Sequence, residues 1–241
     1  MRRIPVVAAV SRSSVCAGLL LSLFAARAAP AQDPPAPMTV MQMVFLRAAV
    51  GKPEPEGQKL QEMQAEHLAR LARLNRERVN LLYGPFLDGG ELRGIVVLDV
   101  ADAEAARQLV AADPLVAAGL MSVEVRPWYG SKSELHLPED PPTTENLILG
   151  FLMRGPHRSQ PAAEAEEIQK GHLAYMAGLH EQGKLALAGP FAEDSDWRGV
   201  VIYRVGSVDE ARQLAAGDPA VAAGRLVIDA RPWLTFKGIL R

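Results

Sequence analysis

Two histidines in this sequence recur, each with a partner. His67 and His172 stand 105 residues apart, and Asp113 and Asp218, each followed by a proline, keep the same separation. An imidazole and a carboxylate that touch do recognisable chemistry. The carboxylate fixes one ring nitrogen as an N–H and favours the imidazolium, leaving the other nitrogen to move a proton on a bound molecule. Such a pair suits isomerisation or elimination beside a carbonyl. Acyl transfer does not fit, because the chain contains no Gly-x-Ser-x-Gly elbow. Both residue types also admit a structural reading. A partly buried imidazole can be a core group bonded to backbone or water, and Asp followed by Pro is what the start of a short helix asks for, aspartate at N-cap and proline at N1. A carboxylate can cap a helix and still meet an imidazole.

Arg93 and Arg198 fall on matching strand-like runs and could bind an anionic ligand or stand exposed at a strand edge. Gly84-Pro85 and Gly189-Pro190 shape a strand end or a pocket wall for substrate. Arg126 and Arg231 read as structural, and Trp128 and Trp233 should pack where the last strand of each copy ends. His136, His157 and His180 have no counterpart at the shared offset and read as surface. No phosphate-binding glycine loop, dinucleotide fingerprint or close His/carboxylate cluster with metal spacing occurs, so no cofactor and no metal site is indicated. One axial histidine would nevertheless suffice for haem.

These residues ride on a repeat. The chain matches itself at a constant offset of 105, without a gap, from His67 against His172 through Trp128 against Trp233. His67-Leu68-Ala69, Gly84-Pro85-Phe86, Arg93-Gly94, Ala106 to Leu109, Asp113-Pro114, Val116 to Gly119 and Arg126-Pro127-Trp128 all return in order. Two copies exclude an open solenoid and predict a pair of domains. In the first copy, 39–48 is strand-like. The stretch 56–76 carries Leu60, Met63, Leu68, Leu71 and Leu74 at the spacing of an amphipathic helix, which puts His67 on or beside the buried stripe. Strands follow over 79–86 and 92–100, joined through Asp88-Gly89-Gly90 as a hairpin. An alanine-rich helix over 102–112 and a strand over 122–128 complete the unit. The second copy repeats the order over 146–153, 162–182, 184–191, 197–205, 208–216 and 226–233. The order β-α-β-β-α-β predicts α+β architecture, two tandem ferredoxin-like domains with helices on one face of an antiparallel sheet. The open sheet face needs a partner, and the other copy is the obvious one. The two sheets should therefore meet face to face within one chain, as an internal pseudo-dimer that is a monomer or weak oligomer overall.

The ordered combination of His67-Leu68-Ala69, Gly84-Pro85-Phe86, Asp113-Pro114 with Ala117-Ala118-Gly119, and Arg126-Pro127-Trp128 resembles the pattern of YCII-related domains, and both copies carry all of it. The resemblance covers 39–130 and 145–236, with 131–144 between them read as a Pro-rich linker. It implies a dimeric α+β barrel fold related to muconolactone isomerases, and a His and an Asp as the active-site pair. On the matching positions these are His67 with Asp113, and His172 with Asp218. Members of the family are usually single-domain proteins without an export signal; this chain departs on both counts.

The N-terminal segment reads differently from the rest. Arg2 and Arg3 precede a short apolar run, followed by Ala29-Pro30-Ala31, the layout of a secretory signal peptide over 1–31. The run from Val15 to Ala26 is shorter than the roughly 20 residues that span a bilayer. An exported protein, periplasmic or secreted, is the expectation, free of the membrane once the signal is cleaved. The sole cysteine, Cys16, lies in this segment, so the remainder has no thiol chemistry. Of 26 lysines and arginines, Arg2, Arg3, Arg12 and Arg27 fall in it and none of the 28 acidic residues does, which takes the formal charge from −2 to −6 without it. That charge, with no basic stripe, argues against a nucleic-acid partner. With 49% hydrophobic residues, 22% charged residues and a mean hydropathy of +0.03, the composition is that of a globular protein able to bury a core. Three roles fit. A cofactor-independent proton-transfer enzyme on a small organic molecule needs an open cavity at each paired histidine, an exported binding protein needs the cavity without the pair, and a structural tandem domain needs neither.

Overall fold

The computed structural model describes residues 37–51 and 55–241, so the expected signal peptide and, apart from Pro37, the expected Pro-rich lead-in at 32–37 lie outside the described residues. The first copy runs β1 (Met38–Ala48), α1 (Gln58–Arg76), β2 (Asn80–Pro85), β3 (Leu92–Leu98), α2 (Ala103–Ala111), α3 (Pro114–Ala117) and β4 (Met121–Ser131). The second runs β5 (Thr144–Arg154), α4 (Ala162–Glu181), β6 (Leu185–Pro190), β7 (Trp197–Tyr203), α5 (Val208–Ala216), α6 (Pro219–Ala222) and β8 (Leu226–Phe236). Each copy makes a four-stranded antiparallel sheet, ordered β2-β3-β1-β4 and β6-β7-β5-β8. These are the two ferredoxin-like units expected from the repeat. No helix among the described residues is long and apolar enough to cross a membrane.

The interior strands β1 and β5 are buried on both faces by side chains that, apart from Gln42, are apolar, which tells where the cores sit. In β5, Leu147, Leu149 and Phe151 pack into the larger cluster shared with the first copy, whereas the alternate residues Ile148 and Leu152 pack with Met176 and Leu179 of α4. Period-two alternation sends one set to the opposite sheet and the other to the helices. Phe45 of β1 marks the shared face, its ring 5.7 Å from that of Phe151 and 5.1 Å from that of Trp197.

The sheets also join at their edges. Phe86 just after β2 bridges Trp233 of β8, and Trp128 of β4 bridges Phe191 just after β6. Leu87 donates its N–H to Pro232 O at 2.9 Å, and Ala192 donates to Pro127 O at 2.9 Å. The two Trp side chains, both fully buried, lock the seams reciprocally. Trp233 Nε1 donates to Gly84 O and Trp128 Nε1 to Gly189 O, each at 2.9 Å. Arg231 reaches Asp88 in the opposite hairpin at 3.0 Å, and Arg126 pairs with Glu193 at the matching place. Eight strands thereby close into one dimeric α+β barrel built within a single chain. The expectation that the Trp residues pack at strand ends falls short of their part: Arg-Pro-Trp and Gly-Pro-Phe together form the seam between the copies.

The segment expected as a linker is anchored along its length. Leu135 is buried and bridges Leu240, and Glu139 N donates to Lys237 O at 2.9 Å. The chain after β8 thus packs on the connection that leads into β5.

A side chain at Gly84 would have no room, because a Cβ there would fall 1.8 Å from Leu234 O across the seam. Gly84→Ala should therefore destabilise by at least the roughly 1–3 kcal/mol typical of overpacking. Gly178, inside α4 with nothing within 4 Å of a built Cβ, is the opposite case. Gly178→Ala should stabilise by about 0.5–1 kcal/mol through helix propensity. Denaturant midpoints of the two variants should move in opposite directions.

Candidate functional site

α1 carries His67 on the face turned to the sheet, about two turns of helix ahead of the buried Leu74 and Asn75 at its end. α3 brings the partner. Asp113 is its N-cap, with Pro114 in the first turn; Oδ1 accepts from Leu115 N at 3.0 Å, and Oδ2 lies 2.7 Å from His67 Nδ1. The second copy repeats this geometry. Asp218 Oδ1 accepts from Ala220 N at 2.8 Å, and Oδ2 lies 2.7 Å from His172 Nδ1. Each carboxylate is therefore a helix cap and an imidazole partner at once, one oxygen for each task. The side chains are 12% and 7% exposed in the first pair and 14% and 1% in the second. A carboxylate accepts only, so Nδ1 carries the proton and Nε2 is left without a protein partner among the described residues.

Each imidazole lines a pocket. The first, about 630 Å³, lies between α1 and the β2–β3 edge and takes in Gln64, His67, Leu68, Tyr83, Gly84, Pro85 and Arg93. Thr144, Leu234, Thr235 and Phe236 of the second copy close it. The second, about 340 Å³, holds the matching Gln169, His172, Leu173, Gly189, Pro190 and Arg198, and Met38 of the first copy reaches into it. All candidate residues thus gather around two pockets, the aspartates from just behind the histidines. Gly84 and Gly189 accept the seam Trp with their carbonyls, turn their missing Cβ to the opposite strand, and also line the pockets. Arg93 and Arg198 border the pockets near the start of β3 and β7, which are interior strands with a neighbour on each side, so the strand-edge expectation does not hold.

Leu68 departs from its expected place on the buried stripe. It is 59% exposed, and Leu173 58%, because each sits at the mouth of its pocket. Gln64 and Gln169, one turn before the histidines, belong to none of the motifs recognised in the sequence, although they stand at the same offset of 105 as the histidines. Residues that cross from the other copy, such as Thr144 and Met38, carry no signal in the sequence.

The surroundings of the two pairs differ. Tyr175 Oη donates to Leu214 O at 2.8 Å where Arg70 donates to Leu109 O in the first copy. Burial first and the Asp218 carboxylate next raise the phenol pKa of Tyr175 and Tyr203, so both stay neutral beside the second pair. Among the described residues no three His, Cys, Asp or Glu side chains converge as metal ligands.

A pair of ferredoxin-like sheets closed into one barrel, with a His–Asp pair beside a pocket in each half, defines a dimeric α+β barrel protein with two candidate sites. The chain belongs to the YCII-related domain family, whose model matches residues 42–129 and 149–234, together more than half of the chain. Among solved structures it is similar to a haem-binding protein from Thermus thermophilus, with 12% identity and a TM-score of 0.51 over 83% of this chain and 92% of that one. It is also similar to a candidate chlorite dismutase, with 11% identity and a TM-score of 0.51 over 81% of this chain and 93% of that one. Such identities speak for the fold alone. No curated protein matches the chain.

Asparagine at position 113 can keep the cap but not the pairing as it stands. Its oxygen would accept from Leu115 N, which turns the NH₂ toward His67 Nδ1 and makes that nitrogen an acceptor. Asp113→Asn should leave stability within about 1 kcal/mol, as Asn caps as well as Asp. Asp113→Ala should cost about 1–3 kcal/mol more, from the lost cap and a buried N–H without a partner. Equal denaturation curves for the two variants would contradict the double role of the carboxylate.

Proposed function

We propose that the protein binds small organic molecules in its two pockets and moves a proton on them, as a cofactor-independent isomerase or lyase. The observation that carries this reading is the Nδ1 to carboxylate contact at 2.7 Å, made twice by an imidazole that lines a pocket each time. With Nδ1–H held by the aspartate, Nε2 of the neutral imidazole is a base. It would take a proton from the carbon beside a carbonyl, and the carboxylate would stabilise the imidazolium that forms. Return of that proton to another carbon of the ligand gives isomerisation; its transfer to a leaving group gives elimination. Gln64 and Gln169, which line the same pockets, would hold the carbonyl oxygen with an N–H donor as charge builds on it.

A second reading is favoured by the same nitrogen. A histidine with a carboxylate on Nδ1 is also held as metal-ligating histidines are, and one structural relative is a haem-binding protein. In this chain His67 Nε2, in the larger pocket, would be the ligating atom, and the group would supply redox chemistry there.

The experiment is deuterium exchange followed by NMR, with a panel of small carbonyl compounds in D₂O. The protein should exchange the hydrogen beside the carbonyl of at least one of them. The double variant His67→Ala, His172→Ala should lose about 10²–10⁴-fold of that rate, the usual share of general acid–base catalysis. Compounds that bind without exchanging would reduce the role to binding, and a histidine-dependent Soret band on adding haemin would favour the second reading.

A further inference from the structure

The two pockets share a plan but differ in lining. In the first, Tyr83, Leu115, Met121 and Phe236 make an apolar wall, and Arg93 is its one guanidinium among the described lining residues. The second has Ala188, Ala220 and Leu226 at the first three of these places, and little more than half the volume. It also gains two cations that the repeat does not supply. Arg158 comes from the loop between β5 and α4, and Arg225 directly precedes β8, where the first copy has Leu120. With Arg198 they put three guanidinium groups around a cavity of about 340 Å³.

These cations are held in place without being neutralised. Arg158 Nη1 donates to Arg225 O at 3.0 Å, and Arg225 Nη1 donates to Gln160 Oε1 at 2.7 Å, both uncharged acceptors. Neither arginine forms an ion pair among the described residues. Arg198 bonds Asp194 at 2.8 Å, but it shares that carboxylate with Arg154 at 2.9 Å, and Asp194 is 84% exposed. Burial first, and then the charges of Arg225, Arg198 and Arg154, lower the Arg158 pKa, with Asp194 the opposing carboxylate. Positive charge gathered around a half-buried cavity is unfavourable until an anion enters, and the planar fork of a guanidinium matches a carboxylate.

We propose that the second pocket is a carboxylate site, which takes a small organic acid with its carboxylate between Arg158, Arg225 and Arg198 and its remaining carbons toward His172. The first pocket, larger and mainly apolar, takes a different and less charged molecule. The volume of the second pocket sits at the low end of the roughly 300–1,000 Å³ usual for small-molecule sites, which limits the acid to a few carbons. This rests on the reading that the pockets hold ligands, and not on proton transfer.

Titration calorimetry of the full chain with succinate, its neutral diamide and inorganic phosphate tests it, with imidazole NMR shifts to locate binding. Succinate should bind, shift His172 more than His67, and weaken as sodium chloride is raised. The double variant Arg158→Gln, Arg225→Gln should lose at least tenfold in affinity, while Arg212→Gln, a surface charge on α5, should keep it. Thermal melts of each variant separate lost binding from lost fold, and Arg158→Lys, which keeps the charge, should bind between the wild type and the double variant. Diamide binding equal to that of succinate, tighter binding of phosphate, absence of succinate binding, or shifts centred on His67 would each overturn the assignment. Succinate binding at His172 without any deuterium exchange would leave it standing while removing the proton-transfer reading.

Discussion

The structure depends on the seam between the two copies. A ferredoxin-like sheet covered by helices on one face exposes the other, and Phe45, Met43, Leu149 and Phe151 would stand in water if either copy were alone. Burial of such surface stabilises by roughly 25 cal/mol per Å², but apolar burial is not directional and would not fix how the sheets meet. The two indole N–H groups do. Each Trp passes to the opposite copy and donates to the carbonyl of a glycine whose missing Cβ lets the strands approach. The arginine two residues before each Trp reaches an acid in the opposite hairpin, so direction and register are set at the same place.

The pockets follow from that seam. Each is walled by α1 and β2–β3, or α4 and β6–β7, of its own copy and is closed by residues of the other. Gly84 and Gly189 belong to both structures, which ties the shape of the site to closure of the barrel. Beneath each pocket the aspartate is fixed by the backbone N–H it caps, and the imidazole is in turn fixed by the aspartate. The imidazole is thus oriented by secondary structure, through a helix cap and not through a loop.

Much of this could be read in the residues. The offset of 105 made the repeat plain, hydrophobic periodicity gave every strand and long helix to within a few residues, and the paired recurrence of His and Asp-Pro singled out the groups that meet. What stayed hidden depends on contacts between distant segments. Arg126-Pro127-Trp128 reads as a strand end because its partners, Gly189 and Glu193, lie in the other copy. Leu68 fits the apolar spacing of α1, yet a pocket opens where its neighbours would be. Arg158 and Arg225 give no signal in the repeat because they mark where the copies diverge, and divergence is what makes the two pockets different.

Each imidazole is held with its proton on Nδ1, against the aspartate, which leaves the lone pair on Nε2. Long-range ¹H–¹⁵N correlation spectra of the histidine rings report this directly. At a pH where the rings are neutral, His67 and His172 should each show a protonated Nδ1 and an unprotonated Nε2. Spectra with the proton on Nε2 in either ring would contradict the account, since that nitrogen could then donate to a ligand but could not take a proton from it.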